Sequence, residues 1–406
     1  MPETLDPRDA IRRITTFGLS DVTEEEPFTV ADDQMPDLWN GIRNERLGGL
    51  AVAALDAGAL ELPDEGRAEL FQRHREDMVR CLALEQTLLG LARAFEDAGV
   101  DFVVLKGPAI AHAVYPNPSW RPFIDIDLLV RTRAWRKACA VLEARGCVRR
   151  LPEPRPGFDE RFGKAAVHVT PDGHQVDLHR TLVIGPYGLW MQPDDLFGRT
   201  ATFPLAGRQL RRLDDTGLLL HACVHAALGQ RVPFGQQLRD VSQVVAAGSI
   251  DVPSLEDWAN RWRLGPVVRR AFELEARAIG SAWPTSLRGV LERPGAARDQ
   301  RLVDAYSTDR RRRGGTAVAT LRAIPDLRGR LAYVAALAFP RREFLTRRAE
   351  GSAPESRLGR LGVPFKWILP ARALRSSRGM GRRTGVRLKA AASHRDRSLP
   401  DRQEIR

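Results

Sequence analysis

The sequence predicts an α+β fold, on three observations. A helical pattern stops near residue 100, short strand-like runs extend to about residue 205, and helical periodicity then resumes to about residue 345. Strands segregated from helices imply a small mixed sheet with flanking helices, an N-terminal helical segment and a C-terminal helical domain. At 406 residues the chain can bury a sizeable core.

The elements follow in order. Residues 1–45 read as an acidic, loosely ordered segment, since residues 1–40 hold ten acids, three arginines and little periodicity. Residues 46–100 are helical: Leu84, Leu88, Leu91 and Phe95 recur on one helix face, and Gly99 stops it. In residues 101–205, Phe102 to Leu105 is a buried strand ending at Lys106 and Gly107. Pro108 to Tyr115 suits a short helix, because proline is tolerated in a first turn. A loop with Pro116, Pro118 and Pro122 leads into a second strand, Ile124 to Val130. Thr132 can cap a helix through Trp135 and Leu142 to Gly146. Residues 165–170 and 174–179 flank the turn formers Pro171, Asp172 and Gly173, which predicts a hairpin. In residues 206–345, Asp214 or Asp215 caps a helix through Val224. Further helices are expected over 236–247, 254–263, 267–279 and 317–337. Residues 346–406 read as a basic, largely disordered tail, with eleven Lys/Arg against three acids in 371–406.

Composition narrows the function classes. A net charge of +12 favours anionic partners; an Arg-rich composition is the plainer account of the tail. Aromatics make up 7% of the chain and do not interleave with the charge runs at Arg310–Arg313 and in the tail, so a nucleic-acid partner has weak support. Trp367 and Ile368, flanked by Lys366 and Arg372, are too short a signal for a membrane surface. No basic-then-apolar leader opens the chain, and the longest apolar runs, such as 331–339, fall short of the ~20 residues a transmembrane span needs. A cytoplasmic protein is expected. The four cysteines lack paired spacing, which argues against a zinc site or a disulfide framework.

The chemistry concentrates in Ile124 to Val130. Asp125 and Asp127 stand at i and i+2, so on a strand both carboxylates share a face, with Cα atoms about 7 Å apart. Ile124, Ile126 and Leu128 take the opposite face. Two such acids can converge on divalent ions, the geometry of two-metal phosphoryl transfer; a solvated strand edge is the alternative. Lys106 and Gly107 end the preceding strand where a helix begins, a turn able to receive phosphate. Arg121 adds a second cation, and Asp177 a third strand carboxylate. His179 shares Asp177's face, open between contact with phosphate or acceptor and a structural hydrogen bond. His221 and His225, at i and i+4, lack a third ligand and read as packing histidines. Arg239 and Asp240 could line a cleft, with an intramolecular ion pair the plainer account, and His168 decorates the hairpin.

Leu105 to Gly107, Tyr115-Pro116 to Arg121-Pro122, Asp125 to Val130 and Val176 to His179 together resemble the uncharacterised nucleotidyltransferase family within the DNA polymerase β-like nucleotidyltransferase superfamily. The likeness is densest over residues 80–180 and continues through His221, His225, Leu238 to Asp240 and Phe339-Pro340. It implies a polymerase β-like core, with Asp125 and Asp127 as a metal-binding pair and Asp177 as the third catalytic and metal-binding carboxylate. Lys106, Gly107, Arg121 and His179 would meet the nucleotide. It also implies Mg²⁺, with Mn²⁺ as a substitute, and a nucleoside triphosphate (NTP) as co-substrate. A nucleoside monophosphate would pass to a hydroxyl of a small-molecule, peptide or protein acceptor. The superfamily has Gly-Ser or Gly-Gly at the turn and a shorter gap to the acids; here Pro108 follows Gly107, and seventeen residues separate Gly107 from Asp125. A contact from position 108 is therefore lost, and Lys106 is its substitute. The alternatives are a non-catalytic nucleotide sensor or partner-binding protein on this fold, and an RNA-directed nucleotidyltransferase.

Overall fold

The computed structural model describes residues 2–19, 26–229, 232–233, 235–280, 283, 285–292, 297–307 and 314–350. Arg310–Arg313 and the tail from residue 351, with Trp367 and Ile368, lie outside the described residues.

The first segment is not loose. Strand β1 (Glu3–Leu5) pairs in parallel with β2 (Phe28–Val30). Between them lies α1 (Pro7–Thr16), whose N-terminus is capped by the Asp6 carboxylate accepting from the Arg8 and Asp9 amides. Helices α2 (Met35–Glu45) and α3 (Gly48–Asp56) follow. Ala10, Ile14, Phe28, Val30, Leu38, Ile42, Leu50, Leu55 and Leu70 bury one apolar cluster, which crosses the boundary expected at residue 45. The apolar residues before residue 45 are sparse and spread over four elements, so no single window carries a period. The acids between them dominate the composition.

Helix α4 (Asp64–Asp97) buries Leu84, Leu88, Leu91 and Phe95, as their spacing requires, and Gly99 follows it at φ +60°. The core then runs through β3 (Phe102–Val104), α5 (Lys106–Val114), β4 (Ile126–Val130), α6 (Trp135–Ala144), β5 (Val148–Arg149), α7 (Phe158–Phe162), β6 (Ala165–Val169), β7 (Gln175–His179), α8 (Pro186–Trp190), α9 (Pro193–Phe197), β8 (Thr200–Leu205) and β9 (Arg208–Leu213). Seven strands form one mixed sheet in the order β5-β6-β7-β4-β3-β9-β8. Only the β7–β4 and β3–β9 pairs are parallel. The sheet continues past residue 205, where the core was expected to end. Ala206 and Gly207, both at positive φ, turn the chain back into β9, which pairs along its length with β8. Four of the six residues of β9 are Arg or Gln, so its sequence does not read as a strand.

Each sheet face is covered. On one face, Val104, Ile126, Leu128, Val176 and Leu178 pack with Leu84, Leu88 and Leu91 of α4 and Leu142 of α6. The other face carries Val103 and Leu129, which join a second cluster with the helices after the sheet. Those helices are α10 (Asp215–Leu228), α11 (Gly235–Ala247), α12 (Val252–Arg261), α13 (Gly265–Ala278), α14 (Thr285–Glu292), α15 (Ala297–Ser307), α16 (Gly314–Ala323), α17 (Leu327–Ala338) and α18 (Arg342–Glu350). Asp214, not Asp215, caps α10 through the Gly217 amide. The helix expected over 317–337 is two, α16 and α17, interrupted at Pro325, which has no amide proton to continue the ladder. Among the described residues no helix is long and apolar enough to cross a membrane.

Candidate active site

Strands β4 and β7 are parallel neighbours in register, with Asp127 opposite Asp177 and Leu129 opposite His179. Side chains two residues apart share a face, so Asp127, Asp177 and His179 converge on the face away from α4. One ligand atom from each lies within 4.8 Å of the other two. Asp125 stands one residue before β4 and is half-buried. Ile126 and Leu128 are fully buried as expected, but Ile124, outside the strand, is 49% exposed. Cys81 of α4 steadies this approach: its sulfur receives the Phe123 amide at 3.3 Å.

Asp127 is the electrostatic centre. Its Oδ1 is 3.0 Å from the Lys106 ammonium and 2.7 Å from His179 Nε2, whereas its buried Oδ2 has no hydrogen-bond partner. Burial alone would raise its pKa, but Lys106 and His179 outweigh that and hold it well below the ordinary carboxylate value. Asp125 is shifted upward by burial and by the Asp127 charge. Burial, then Asp127 and Asp125, push Asp177 up to about 6, although Gln175 Nε2 donates to its Oδ1 at 3.0 Å. Asp125 and Asp177, both raised by the charge of Asp127, and the bare buried oxygen of Asp127 form a donor set suited to a divalent cation.

The first two residues of α5 form a strained turn. Lys106 has φ +28°, and Gly107 has φ +39° with ψ −120°. A Cβ at Gly107 would meet its neighbours at 3.5 Å or more, so the backbone angle, not space, calls for glycine. Backbone ties it to the acids, because the Leu105 amide donates to the Asp127 carbonyl at 2.9 Å.

Arg121 does not stand free to meet a phosphate. It is buried, with Nε 2.7 Å from Asp240 Oδ1 and Nη2 2.6 Å from Oδ2, while Nη1 donates to the Gly107 carbonyl at 3.3 Å. Tyr115 donates to the same carboxylate at 3.0 Å. Asp240 is thus held in an intramolecular ion pair, with Arg121 as its partner. Arg239 donates to the Thr15 and Phe17 carbonyls and to Gln243.

Lys164, overlooked in the sequence, faces the cluster. It immediately precedes Ala165, which lies opposite His179, and its carbonyl receives the Arg180 amide. Burial and the nearby Lys106 lower its pKa against the pull of Asp127, Asp177 and Asp125. Only the β6–β7 register brings it to the site; a lone lysine at a strand start carries no sequence signal. His221 and His225 flank the site from α10 outside the Asp127–Asp177–His179 cluster. Burial first, then Lys106, holds both well below the usual imidazole value. His168 is not surface decoration: it is fully buried, opposite Val176 on the α4 side of the sheet.

A family model described as "Uncharacterised nucleotidyltransferase" matches residues 32–280. Among solved structures, an antigenic nucleotidyltransferase-like protein from Paracoccidioides brasiliensis is similar at 15% identity and a TM-score of 0.33, covering 52% of this chain and 92% of its own. The antibiotic-resistance factor ANT(2'')-Ia is similar at 15% identity and a TM-score of 0.30, covering 49% of this chain and 96% of its own. No curated protein matches.

Proposed function

The chain belongs to the uncharacterised nucleotidyltransferase family, matched over residues 32–280, and from that premise we propose that it moves a nucleoside monophosphate from an NTP to an acceptor hydroxyl. The acceptor is a small molecule, peptide or protein. The observation that carries this reading is the register of Asp127 against Asp177, with Asp125 beside them and one Asp127 oxygen unpartnered.

In this reading Asp125, Asp127 and Asp177 hold Mg²⁺, to which hard carboxylate oxygens are suited. When bound, divalent ions lower the acceptor's pKa and offset charge on the triphosphate. Asp177, held near neutrality by burial and its acidic neighbours, accepts the hydroxyl proton. The acceptor oxygen bonds to the α-phosphorus as the bond to the bridging oxygen breaks, and pyrophosphate leaves. Lys106 and Lys164 supply positive charge beside the phosphates, and Arg121 fixes the Gly107 turn through its carbonyl. His179 orients Asp127.

The test is Mg²⁺-dependent pyrophosphate release from each of the four ribonucleoside triphosphates, with a cell extract as acceptor source. Release that disappears in Asp125→Ala, with the fold retained, is the expected outcome; equal release in both proteins would sink the assignment. One observation favours a second reading, a nucleotide-binding protein without turnover: Lys106 already neutralises Asp127 in this arrangement. Nucleotide binding without release in either protein would select it.

A further inference from the structure

Helix α17 turns an apolar face outward. Its inner face is fixed to the core: Tyr333 stacks on Phe158 at 6.0 Å and meets Phe162 edge-on at 5.2 Å, both from α7. At its end the Arg155 side chain donates to the Phe339 carbonyl at 2.8 Å. The outer face carries Leu327, Leu331, Val334 and Ala338, spaced i, i+4, i+7 and i+11, and Phe339 closes it. Leu327 is 70% exposed, Leu331 61%, Val334 38% and Phe339 63%. Single apolar residues are ordinary on a protein surface; a continuous stripe, on a helix whose other face is already buried, marks contact with something else.

Charge narrows the partner. Residues 327–342 hold four arginines and no acid, and all four are exposed. Each residue turns the helix by about 100°, which sets Arg328 on one border of the stripe and Arg330 on the other. Arg341 and Arg342 follow the helix end. Cations along both edges of an outward apolar stripe match a lipid layer, where Leu and Phe enter the acyl boundary and guanidinium groups stay among anionic headgroups. The exposed side chains offer a few hundred Å², short of the ~800 Å² that each partner gives in a standard protein complex. At 12 residues α17 is too short to span a bilayer and would lie in its surface.

We propose that α17 is a membrane-surface helix: Leu327, Leu331, Val334 and Phe339 insert into the interface of an anionic lipid layer, and the flanking arginines bind its headgroups. This goes beyond nucleotidyl transfer and does not rest on it, so the failure of either leaves the other standing.

Co-sedimentation of the full-length protein with lipid vesicles tests this. Wild type is expected to bind vesicles of phosphatidylcholine and phosphatidylglycerol in equal parts about tenfold or more tightly than vesicles of phosphatidylcholine alone. Leu327→Gln with Leu331→Gln removes the stripe and keeps every charge. Both side chains are exposed, so the fold should persist by circular dichroism while binding to the mixed vesicles falls about tenfold. Arg328→Gln with Arg342→Gln should remove most of the preference for the anionic lipid. Mixed-vesicle binding that the leucine variant leaves unchanged would reduce to attraction by the chain's net charge of +12 and overturn the inference. Absence of sedimentation with either vesicle would overturn it too, and a dimer in light scattering that the leucine variant dissociates would then assign the face to a second copy of the chain.

Discussion

At the scale of single residues, the site is governed by what surrounds Asp127. Its side chain is 1% exposed and that of Lys106 14%. Breaking a buried pair leaves an uncompensated charge, so Lys106→Met should cost about 3 kcal/mol. Mg²⁺ should restore much of that loss by replacing the ammonium; thermal unfolding with and without the ion reads both effects, and a variant as stable as wild type would sink the pairing argument. His168 gives a residue-scale prediction away from the chemistry. Burial, then Arg149, lowers its pKa from 6.5 to about 4. A depressed folded pKa means a contribution that is full above pH 6.5 and lost as pH falls toward 4, worth roughly 3 kcal/mol at most. His168→Phe should therefore flatten stability against pH in that window, which denaturant titration at several pH values measures; an unchanged slope would exonerate His168. Among these residues the sequence disclosed the acids, because alternation on a strand is a local pattern. Lys164 escaped it, since its approach to the acids depends on strand pairing alone.

At the scale of elements, Arg121 and Asp240 join the approach to β4 to α11, and Nη1 of Arg121 reaches the carbonyl of the strained turn. The guanidinium fork makes this geometry and a lysine cannot. Arg121→Lys should cost about 2 kcal/mol and lower turnover more than nucleotide affinity. In a double-mutant cycle with Asp240→Asn the coupling should exceed about 1 kcal/mol; additive effects would show that the pair does not act as a unit. Short-range signals made many elements legible. The periodicity of α4, the Pro171 to Gly173 hairpin and the cap at Asp214 all lie within a few residues of what they specify. The β8–β9 hairpin was hidden because Ala206 adopts positive φ where a reader expects Asn or Gly, and the Arg-rich strand after it lacks apolar alternation. Arg121 read as a phosphate contact because its partner stands 119 residues away.

At the scale of the whole molecule, the N-terminal lobe is part of the structure that frames the site. Arg239, fully buried beside Asp240, donates to the Thr15 and Phe17 carbonyls. Glu45 accepts the Gly235 amide at the start of α11. Removing residues 1–34 should strip these acceptors from Arg239 and expose the cluster around Leu38 and Leu50, leaving a protein that unfolds at least several degrees lower or fails to remain soluble. Unchanged unfolding of the truncated chain would show that residues 1–34 add nothing to the stability of the rest. The paired grips of Arg239 and Asp240 also set an order of events during synthesis. Asp125, Asp127 and Asp177 leave the ribosome before α11, and at 5–20 residues/s the stretch from Asp177 to Asp240 takes roughly 3–13 s. Through that interval these three carboxylates exist without the residue that anchors their neighbouring loop. Tyr115, Arg121 and the Gly107 turn thus wait for a carboxylate made 119 residues after Arg121, and Asp240 is the point in translation at which this loop can first be fixed.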